Sequence, residues 1–516
     1  MTRPQTWVLT AAQQRALDEA SVLEGTAAQT LMESAGSHAA EWILANLRPK
    51  AAVVLAGPGG NGGDAFVAAR HLLQAGVRVQ TFSRKDIESS SHLTQLMARR
   101  LMDLNASISV VSLDLAALEE ALKAADCVVD GLFGSGLSRP LEGEDAAICQ
   151  SINGSDAATV SLDVPSGVAS DVGGLSAAAV RADITLAMAF YKPCHWLHPA
   201  AELCGDVHIV AVDYPQEILD RVAPMATVPN RKSIAAMLPK RRPNGHKGTF
   251  GRVVIIVGSQ GMTGAAILCA RGALRAGAGL VTVALPETIA PVIQAAVPEV
   301  MTLPLPDGGT GSLVGRKLLE CLLPAMTDAD VIAIGPGLGR REDTQDVVRQ
   351  ILEASESKLV IDADAIHALV GHEDIWPVIA NRVVLTPHPG EFAALIGLAA
   401  GGVDRLRLDL VAEFVSKHAI HLVLKGRPTV IGLPDRSIIV NPTGNTGLAT
   451  GGSGDVLTGL LAGLLAGGSS LSDAAIAAPY IHGWIADRWA TTRSERSLTP
   501  SDILDELPRV LKELES

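Results

Sequence analysis

The chain has 516 residues, enough for two or three domains that bury their cores without disulfide or metal staples. It is 48% hydrophobic and 19% charged, with 50 Gly but only 7 Phe, 6 Trp and 3 Tyr, which excludes a disordered chain. A net charge of −13 argues against nucleic acid or an anionic membrane as the main partner, while a phosphorylated small ligand held by backbone amides stays open. Six scattered cysteines without a CxxC point to a reduced, cytoplasmic protein. Cys194-His195-x2-His198-x5-Cys204 is a minor metal candidate whose spacing matches no standard zinc pattern. The start MTRPQTWVLTAAQQR has no apolar signal region. The most apolar run, Val456 to Gly468, spans 13 residues and is too short to cross a bilayer. Its Gly459, Gly463 and Gly467 ladder reads as close helix packing, and the expectation is a soluble protein.

In chain order, Thr10-x-x-Gln13 is a capping box that opens a helix to about Gly25, and a second helix runs to about Asn46. From Ala51, short β-branched runs (AAVVLA, VRVQTF, CVVD, ATVSLD, DVHIVAV) alternate with helix-like stretches. That alternation predicts βαβ units on a parallel sheet. It pauses between Tyr214 and Arg242, a stretch with several prolines and the basic cluster Lys240-Arg241-Arg242. A second series follows: RVVIIVG at 252–258, then LVTVAL, VIAIG, KLVID, RVVLT and HLVLK. The expectation is two α/β domains, 1–225 and 226–516, whose differing loop motifs exclude an internal repeat.

In the first domain the strand at 51–56 runs into GPGGNGGD at 57–64. Glycines allow a sharp turn and close ligand approach, and a helix start offers unpaired amides to phosphate. The literal GxGxxG of Gly57, Gly59 and Gly62 is by itself a weak dinucleotide signal. Asp64 is open between a ligand contact and a helix cap. Asp130 precedes the amide-rich loop GLFGSGLSRP, and Asp163 precedes VPSG. Ligands in open α/β sheets sit at the carboxyl ends of strands, so these three ends outline one site.

The stretches GPGGNGGDAF, VVDGLFGSGL and LDVPSG resemble the N-terminal epimerase domain of the NAD(P)H-hydrate repair family. That family commonly reads GxGNNGGDG in the first loop; here Gly60 replaces the first Asn and Ala65 the last Gly. The resemblance implies a Rossmann-like parallel-sheet sandwich and a K+ site at Asn61, Asp130 and Ser166. It further implies contacts to the hydrated dinucleotide from Gly60, Asn61, Gly62, Gly63 and Asp64 and from Gly134, Ser135, Gly136, Leu137, Ser138, Arg139 and Pro140. Asp163 would touch the ligand and act as the epimerase acid/base.

In the second domain GSQGMTG at 258–264 lacks the Lys-Ser/Thr ending of a P-loop. Gly335-Pro-Gly337-Leu-Gly339 suits close ligand approach, and Asp362-Ala-Asp364 reads as a helix cap. His388 sits between two prolines and reads as a ligand contact, and Lys425-Gly-Arg-Pro-Thr429 suits a nucleotide phosphate. The strongest motif is NPTGNTGLATGGSGD at 441–455. Gly452, Ser453 and Gly454 at a helix start make an anion cradle, and Asp455 beside it is placed to act as a general base.

With GSQGMTGAA, ARGALRAGAGLV, GPGLG, TPHPGE and KGRPT, this run resembles the ADP/ATP-dependent NAD(P)H-hydrate dehydratase domain of the ribokinase-like superfamily, from about residue 235 to 490. Leu448 stands where Met is usual. The resemblance implies that Ala265, Gly337, His388 and Asp455 touch the hydrated dinucleotide. Lys425, Gly426, Arg427, Pro428, Thr429 and Gly454 would hold the adenine nucleotide. Together the two resemblances imply a bifunctional repair enzyme: one domain interconverts the R and S hydrates, and the other dehydrates the S-hydrate with ADP and Mg2+, ATP being the less favoured donor. The expected partners are the hydrates of NADH and NADPH, ADP and further copies of the chain. The alternatives are a ribokinase-like vitamin or sugar kinase with a fused nucleotide-binding regulatory domain, or a first domain that only binds ligands or partners.

Overall fold

The computed structural model describes residues 6–516 apart from 112–114, 138, 175–177, 242 and 316. Two compact units divide the chain, the first ending at Thr227 and the second beginning at Val228. The capping box forms as expected: Thr10 Oγ1 accepts from Gln13 N–H at 3.1 Å and Gln13 Oε1 from Thr10 N–H at 3.0 Å, starting the helix Ala11–Leu23.

In the first unit, β1 (Trp7–Val8) pairs antiparallel with β9 (Ala226–Thr227). The main sheet is built of β2 (Ala51–Ala56), β3 (Arg78–Ser83), β4 (Ile108–Val110), β5 (Cys127–Gly131), β6 (Ala158–Leu162), β7 (Ile184–Met188) and β8 (Asp206–Val210). All pairs are parallel, in the order β4-β3-β2-β5-β6-β7-β8. Strand side chains alternate between faces, and both faces are covered. Ala52, Val54 and Ala56 pack with the helices Ala28–Asn46 and Gly60–Gln74, whereas Val53 and Leu55 pack with Leu115–Lys123 and Gly143–Asn153.

The second unit's strands are β10 (Arg252–Ile256), β11 (Leu280–Pro286), β12 (Met301–Leu305), β13 (Val331–Ile334), β14 (Lys358–Ile361), β15 (Val383–Leu385), β16 (His421–Leu424), β17 (Thr429–Gly432) and β18 (Ile438–Asn441). They run β18-β17-β16-β15-β14-β13-β10-β11-β12, parallel from β16 to β12 and antiparallel across β17 and β18. The apolar run from Val456 lies on the helix Ser453–Ala466, buried almost all round because it packs backbone to backbone on the helix Thr263–Arg275. A Cβ on Gly459 would lie 2.1 Å from Cys269 O, and one on Gly463 2.6 Å from Ala273 O. Gly459 and Gly463 play the packing role expected of that ladder, whereas Gly467 is the helix C-cap and among the described residues meets no facing backbone. Among the described residues no helix is long and apolar enough to cross a membrane.

Candidate active sites

In each unit the strand order reverses beside the first long strand, leaving a crevice between its carboxyl end and that of its neighbour across the reversal. In the first unit that crevice lies at β2 and β5. The helix Gly60–Gln74 starts sooner than a loop reading implies, so Asn61, Gly62, Gly63 and Asp64 form its first turn. Gly59 is the N-cap, with no side-chain cap, so Asp64 is not the cap. Two glycines are sterically forced: a Cβ on Gly57 would lie 1.7 Å from Leu132 O, and one on Gly62 1.8 Å from Gly57 O. A Cβ on Gly60 would meet nothing within 4 Å, so the Asn usual in the resembled family would fit.

Asn61 and Ser166 converge on one carbonyl, and Asp130 joins them through Ser166. Asn61 Nδ2 donates to Phe133 O at 3.1 Å, and Ser166 Oγ lies 3.2 Å from the same oxygen. The Asp130 carboxylate is fully buried and accepts from Ser161 Oγ at 2.8 Å, Ser166 N–H at 2.9 Å and Ser166 Oγ at 2.6 Å. Among the described residues no basic group pairs with it, and burial pushes its carboxyl above the usual range. Asn61 Oδ1 is buried without a hydrogen-bond partner. A lone buried carboxylate and an orphaned amide oxygen beside a hydroxyl and a carbonyl form the oxygen-rich donor set that a hard cation takes. These residues fit the expected cation.

Asp163 ends β6 in a γ-turn of positive φ, +64°, and is 6% exposed. Its carboxylate pairs with the ammonium of Lys192, a side chain with no exposure at all. His195, part of the minor metal candidate, instead binds the Asp163 carbonyl through Nε2 at 2.9 Å and accepts from Lys192 N–H through Nδ1 at 3.0 Å. Cys194, His195 and Cys204 do bring their ligand atoms within 4.8 Å of one another, but both imidazole nitrogens are already committed.

Asp64 is half-buried, with its carboxyl pushed well up by burial and by Asp163 and Asp18. Asp18 reaches the same neighbourhood and accepts from the Tyr214 hydroxyl at 2.5 Å. Of the second predicted loop, Gly134 sits against Asn61, its Cβ position 3.1 Å from Asn61 Cβ. Ser135 O accepts from Ser170 Oγ at 3.2 Å, Leu137 packs against the core, and Gly136, Arg139 and Pro140 are exposed. Ser138 lies outside the described residues. Sequence reading missed Lys192, Asp18 and Tyr214, which lie far along the chain from the glycine-rich motifs.

In the second unit the crevice lies at β10 and β13. A Cβ on Gly335 would lie 1.7 Å from Asp362 O, and one on Gly337 3.1 Å from the Cβ of Ala265, which brings two predicted ligand contacts together. Asp362 does not cap the next helix; the cap position belongs to Ala363. Its buried carboxylate instead accepts from Lys425 Nζ at 2.7 Å and Thr458 Oγ1 at 2.6 Å. Asp364 accepts from Gly339 N–H at 2.9 Å and Arg340 Nε at 3.1 Å.

The helix Ser453–Ala466 starts from Gly452 at φ +94°. Among the described residues the N–H groups of Gly454 and Asp455 have no acceptor. A Cβ on Gly454 would lie 3.6 Å from Lys425 Nζ and 3.8 Å from Asp362 Oδ2, so Lys425, Asp362 and the cradle share one spot. Burial, then the neighbouring Asp362, pushes the Asp455 carboxyl up to about 6. Burial works against the Lys425 charge, but Asp362 and Glu391 outweigh it and its ammonium titrates above the usual range. Ser453 Oγ lies 3.2 Å from Nε2 of His482, whose imidazole burial holds down to about 4.

The 425–429 loop is fixed from below by buried Arg407, which donates to Pro428 O and pairs with Asp404 at 2.8 Å. A Cβ on Gly426 would lie 2.6 Å from that guanidinium. Thr429 Oγ1 donates to Gly426 O at 3.1 Å. His388 caps the helix Pro389–Ile396: Nδ1 accepts from Gly390 N–H at 3.0 Å and Glu391 N–H at 3.2 Å. Its Nε2 lies 3.2 Å from Glu391 Oε1, and the side chain stays half exposed. Thr458, Arg407 and His482 were not legible as site residues, since each acts through another group.

The model of the YjeF-related protein N-terminus family matches residues 28–194, and that of the NAD(P)H-hydrate dehydratase family matches 253–509. A bifunctional NAD(P)H-hydrate repair enzyme from Moorella thermoacetica is 38% identical over 502 residues, covering 94% of this chain and 92% of that one. The chain belongs to the bifunctional NAD(P)H-hydrate repair enzyme family. A repair enzyme of the same description from Salinibacter ruber is 36% identical over 524 residues, covering 98% of this chain and 96% of that one. Among solved structures, a ribokinase-like superfamily protein from Enterococcus faecalis V583 is 28% identical with a TM-score of 0.51, covering 57% of this chain and 99% of that one. The expected α/β, ribokinase-like class holds. Each repair-family match falls wholly inside one unit; Lys192 lies inside the first match, and Asp18 and Tyr214 lie outside it.

Proposed function

We propose that the two sites perform the two reactions of hydrated NAD(P)H repair: interconversion of the R and S hydrates in the first unit, and nucleotide-dependent dehydration of the S-hydrate in the second. Family membership supports the pairing. The observation that carries the mechanism is Asp455, poised near 6 beside two free helix amides and the Lys425 ammonium. A carboxyl titrating there is ionised at neutral pH yet basic enough to take a hydroxyl proton.

In the second unit Asp455 takes that proton as the hydrate's oxygen forms its bond to the transferring phosphoryl and the bond to the nucleotide breaks. The Gly454 and Asp455 amides and Lys425 stabilise the charge that develops. Phosphate then leaves with the oxygen, assisted by the ring nitrogen, and loss of the neighbouring proton restores the double bond. With ADP as the proposed donor, AMP and phosphate are the other products; with ATP, the alternative, they are ADP and phosphate. Mg2+ would supply charge neutralisation on the phosphoryl oxygens. His388 and the Ala265–Gly337 contact would orient the hydrate, and Arg427 and Thr429 the nucleotide.

In the first unit Asp163 is the acid/base at the carbon bearing the hydroxyl. Asn61, Asp130 and Ser166 would hold K+, which supplies the positive charge that buried Asp130 lacks. We place the protein in the cytoplasm, in keeping with its six free cysteines, and expect it to be a homo-oligomer. The test against the kinase alternative is a product assay with ADP, Mg2+ and the S-hydrate. Stoichiometric NADH, AMP and free phosphate support repair, whereas a stable phosphorylated product overturns it.

A further inference from the structure

We propose that Lys192 and His195 are positioning residues of the epimerase reaction, holding Asp163 in a strained turn with one carboxylate oxygen, Oδ2, left open to the ligand's hydroxyl. The inference rests on Asp163 being the acid/base. It begins from two adjacent strand ends that break the same backbone rule. At the end of β6, Asp163 has φ +64°, and Val164 N–H donates to Leu162 O at 2.8 Å, closing a γ-turn. At the end of β7, Ala189 has φ +60°, and Phe190 N–H donates to Met188 O at 2.7 Å, closing another. Turns of this hand are rare and strained for residues with a Cβ, and such strain persists only where the surroundings over-determine it.

Lys192 supplies that determination. Its ammonium has three protons and three acceptors: the Asp163 carboxylate, Met188 O at 3.3 Å and Phe190 O at 3.2 Å. The second γ-turn thus presents two carbonyls to the charge that pairs with the residue of the first. A lysine with no exposed surface survives only with such full pairing. Both donors to the carboxylate among the described residues, Lys192 Nζ and Met188 N–H at 3.3 Å, reach Oδ1, and none of the described residues donates to Oδ2. His195 fixes the backbone end. Because Nδ1 accepts from Lys192 N–H, Nε2 carries the proton and donates to Asp163 O. Burial and the Lys192 charge hold this imidazole down to about 4, so it stays neutral in that tautomer. Among the described residues the other charged or titratable groups facing Asp163 are Asp64 from the glycine-rich helix start, Asp18 from the helix Ala11–Leu23, the Tyr214 hydroxyl bound to Asp18, and the buried Cys194 thiol.

The chemistry asks for this arrangement. Inversion at a carbon bearing a hydroxyl beside a ring nitrogen breaks the C–O bond. A proton passes from the protonated Oδ2 of Asp163 to the leaving oxygen, which departs as water, and the nitrogen lone pair forms a C=N bond. Water then adds to the opposite face and returns its proton to the carboxylate. One fixed, open oxygen serves both directions, while the paired oxygen holds it in place.

The test measures epimerase kcat and KM on the full chain with a single hydrate epimer. The variants are Lys192→Gln, His195→Asn, Asp163→Asn and the Lys192→Gln/Asp163→Asn double. Lys192→Gln keeps a hydrogen-bond donor without the charge. It should lower kcat by about 10²-fold with KM within about threefold, a scale set by general acid–base contributions. The double variant should be no slower than Asp163→Asn alone, because Lys192 acts through Asp163. His195→Asn leaves the ion pair intact and should lower kcat by about tenfold. It carries the test alone if Lys192→Gln does not melt as a folded protein. A Lys192→Gln kcat within threefold of the parent, an equal further loss on the Asp163→Asn background, or an unchanged His195→Asn rate overturns the proposal. Asp163→Asn at full rate would instead remove the acid/base reading itself.

Discussion

The two units solve the same problem with opposite electrostatics. Each places its chemistry at the point where the strand order of a parallel sheet reverses, and each sets a carboxylate beside a lysine and a glycine-rich helix start. In the first unit the lysine is sealed in the interior and pairs with Asp163, the proposed acid/base. In the second the lysine pairs with a different carboxylate, Asp362, and Asp455 is left unpaired and pushed up to about 6. The difference follows the reactions. The proposed epimerisation passes a proton out and back, so its carboxylate is held in place by a fixed partner. Phosphoryl transfer brings an anion, so Lys425 stays at the edge of the cradle and Asp455 must be basic enough to take a proton beside it.

The largest effect expected from breaking this comparison is its separability. Asp455→Asn should cost at least about 10²-fold in dehydration while leaving epimerisation intact, and Asp163→Asn the converse, read by assaying both reactions on each variant. Next comes the packing that seats the second site. Gly459→Ala would drive a methyl to 2.1 Å from Cys269 O and should cost about 1–3 kcal/mol or more, seen as a lowered melting temperature and weakened ADP binding. A smaller effect lies in pH. Because Asp455 must be ionised to act, dehydration kcat should fall about tenfold per unit once pH drops well below about 6. Asp362→Asn removes a negative neighbour that raises Asp455, so this acid limb should move to lower pH; an unmoved limb contradicts the coupling. The smallest effect is at Gly60, where open space admits a side chain. Gly60→Asn should change hydrate KM for epimerisation by no more than about threefold and leave folding unchanged, as for a surface substitution.

Much of this architecture is legible in the sequence because βαβ alternation and glycine-rich strand ends are local signals. AAVVLA running into GPGGNGGD announces a strand followed by a glycine-rich helix start, and NPTGNTGLATGGSGD announces a second glycine-rich helix start. What stays hidden is pairing across distance. Asp362 reads as a cap because a strand-end Asp before a short helix usually is one; only the fold reveals that Lys425 and Thr458 meet its two oxygens. Asp64 reads equally well as a cap until the helix is seen to begin before it. Lys192 gives no signal at all, since its site is made by two carbonyls of one strained turn and by a carboxylate twenty-nine residues back in the chain. His388 reads as a ligand contact from its flanking prolines, and only the fold reveals that it caps a helix and that its Nε2 faces Glu391.

The central claim, two linked activities on one chain, is tested most directly by incubating a mixture of both NADH-hydrate epimers with the protein, K+, Mg2+ and ADP while following NADH absorbance and free phosphate. The account predicts complete conversion of both epimers with one phosphate released per NADH regained. Conversion that stops when the S-hydrate is consumed, proceeding thereafter only at the spontaneous rate, would contradict it by leaving the first unit without activity.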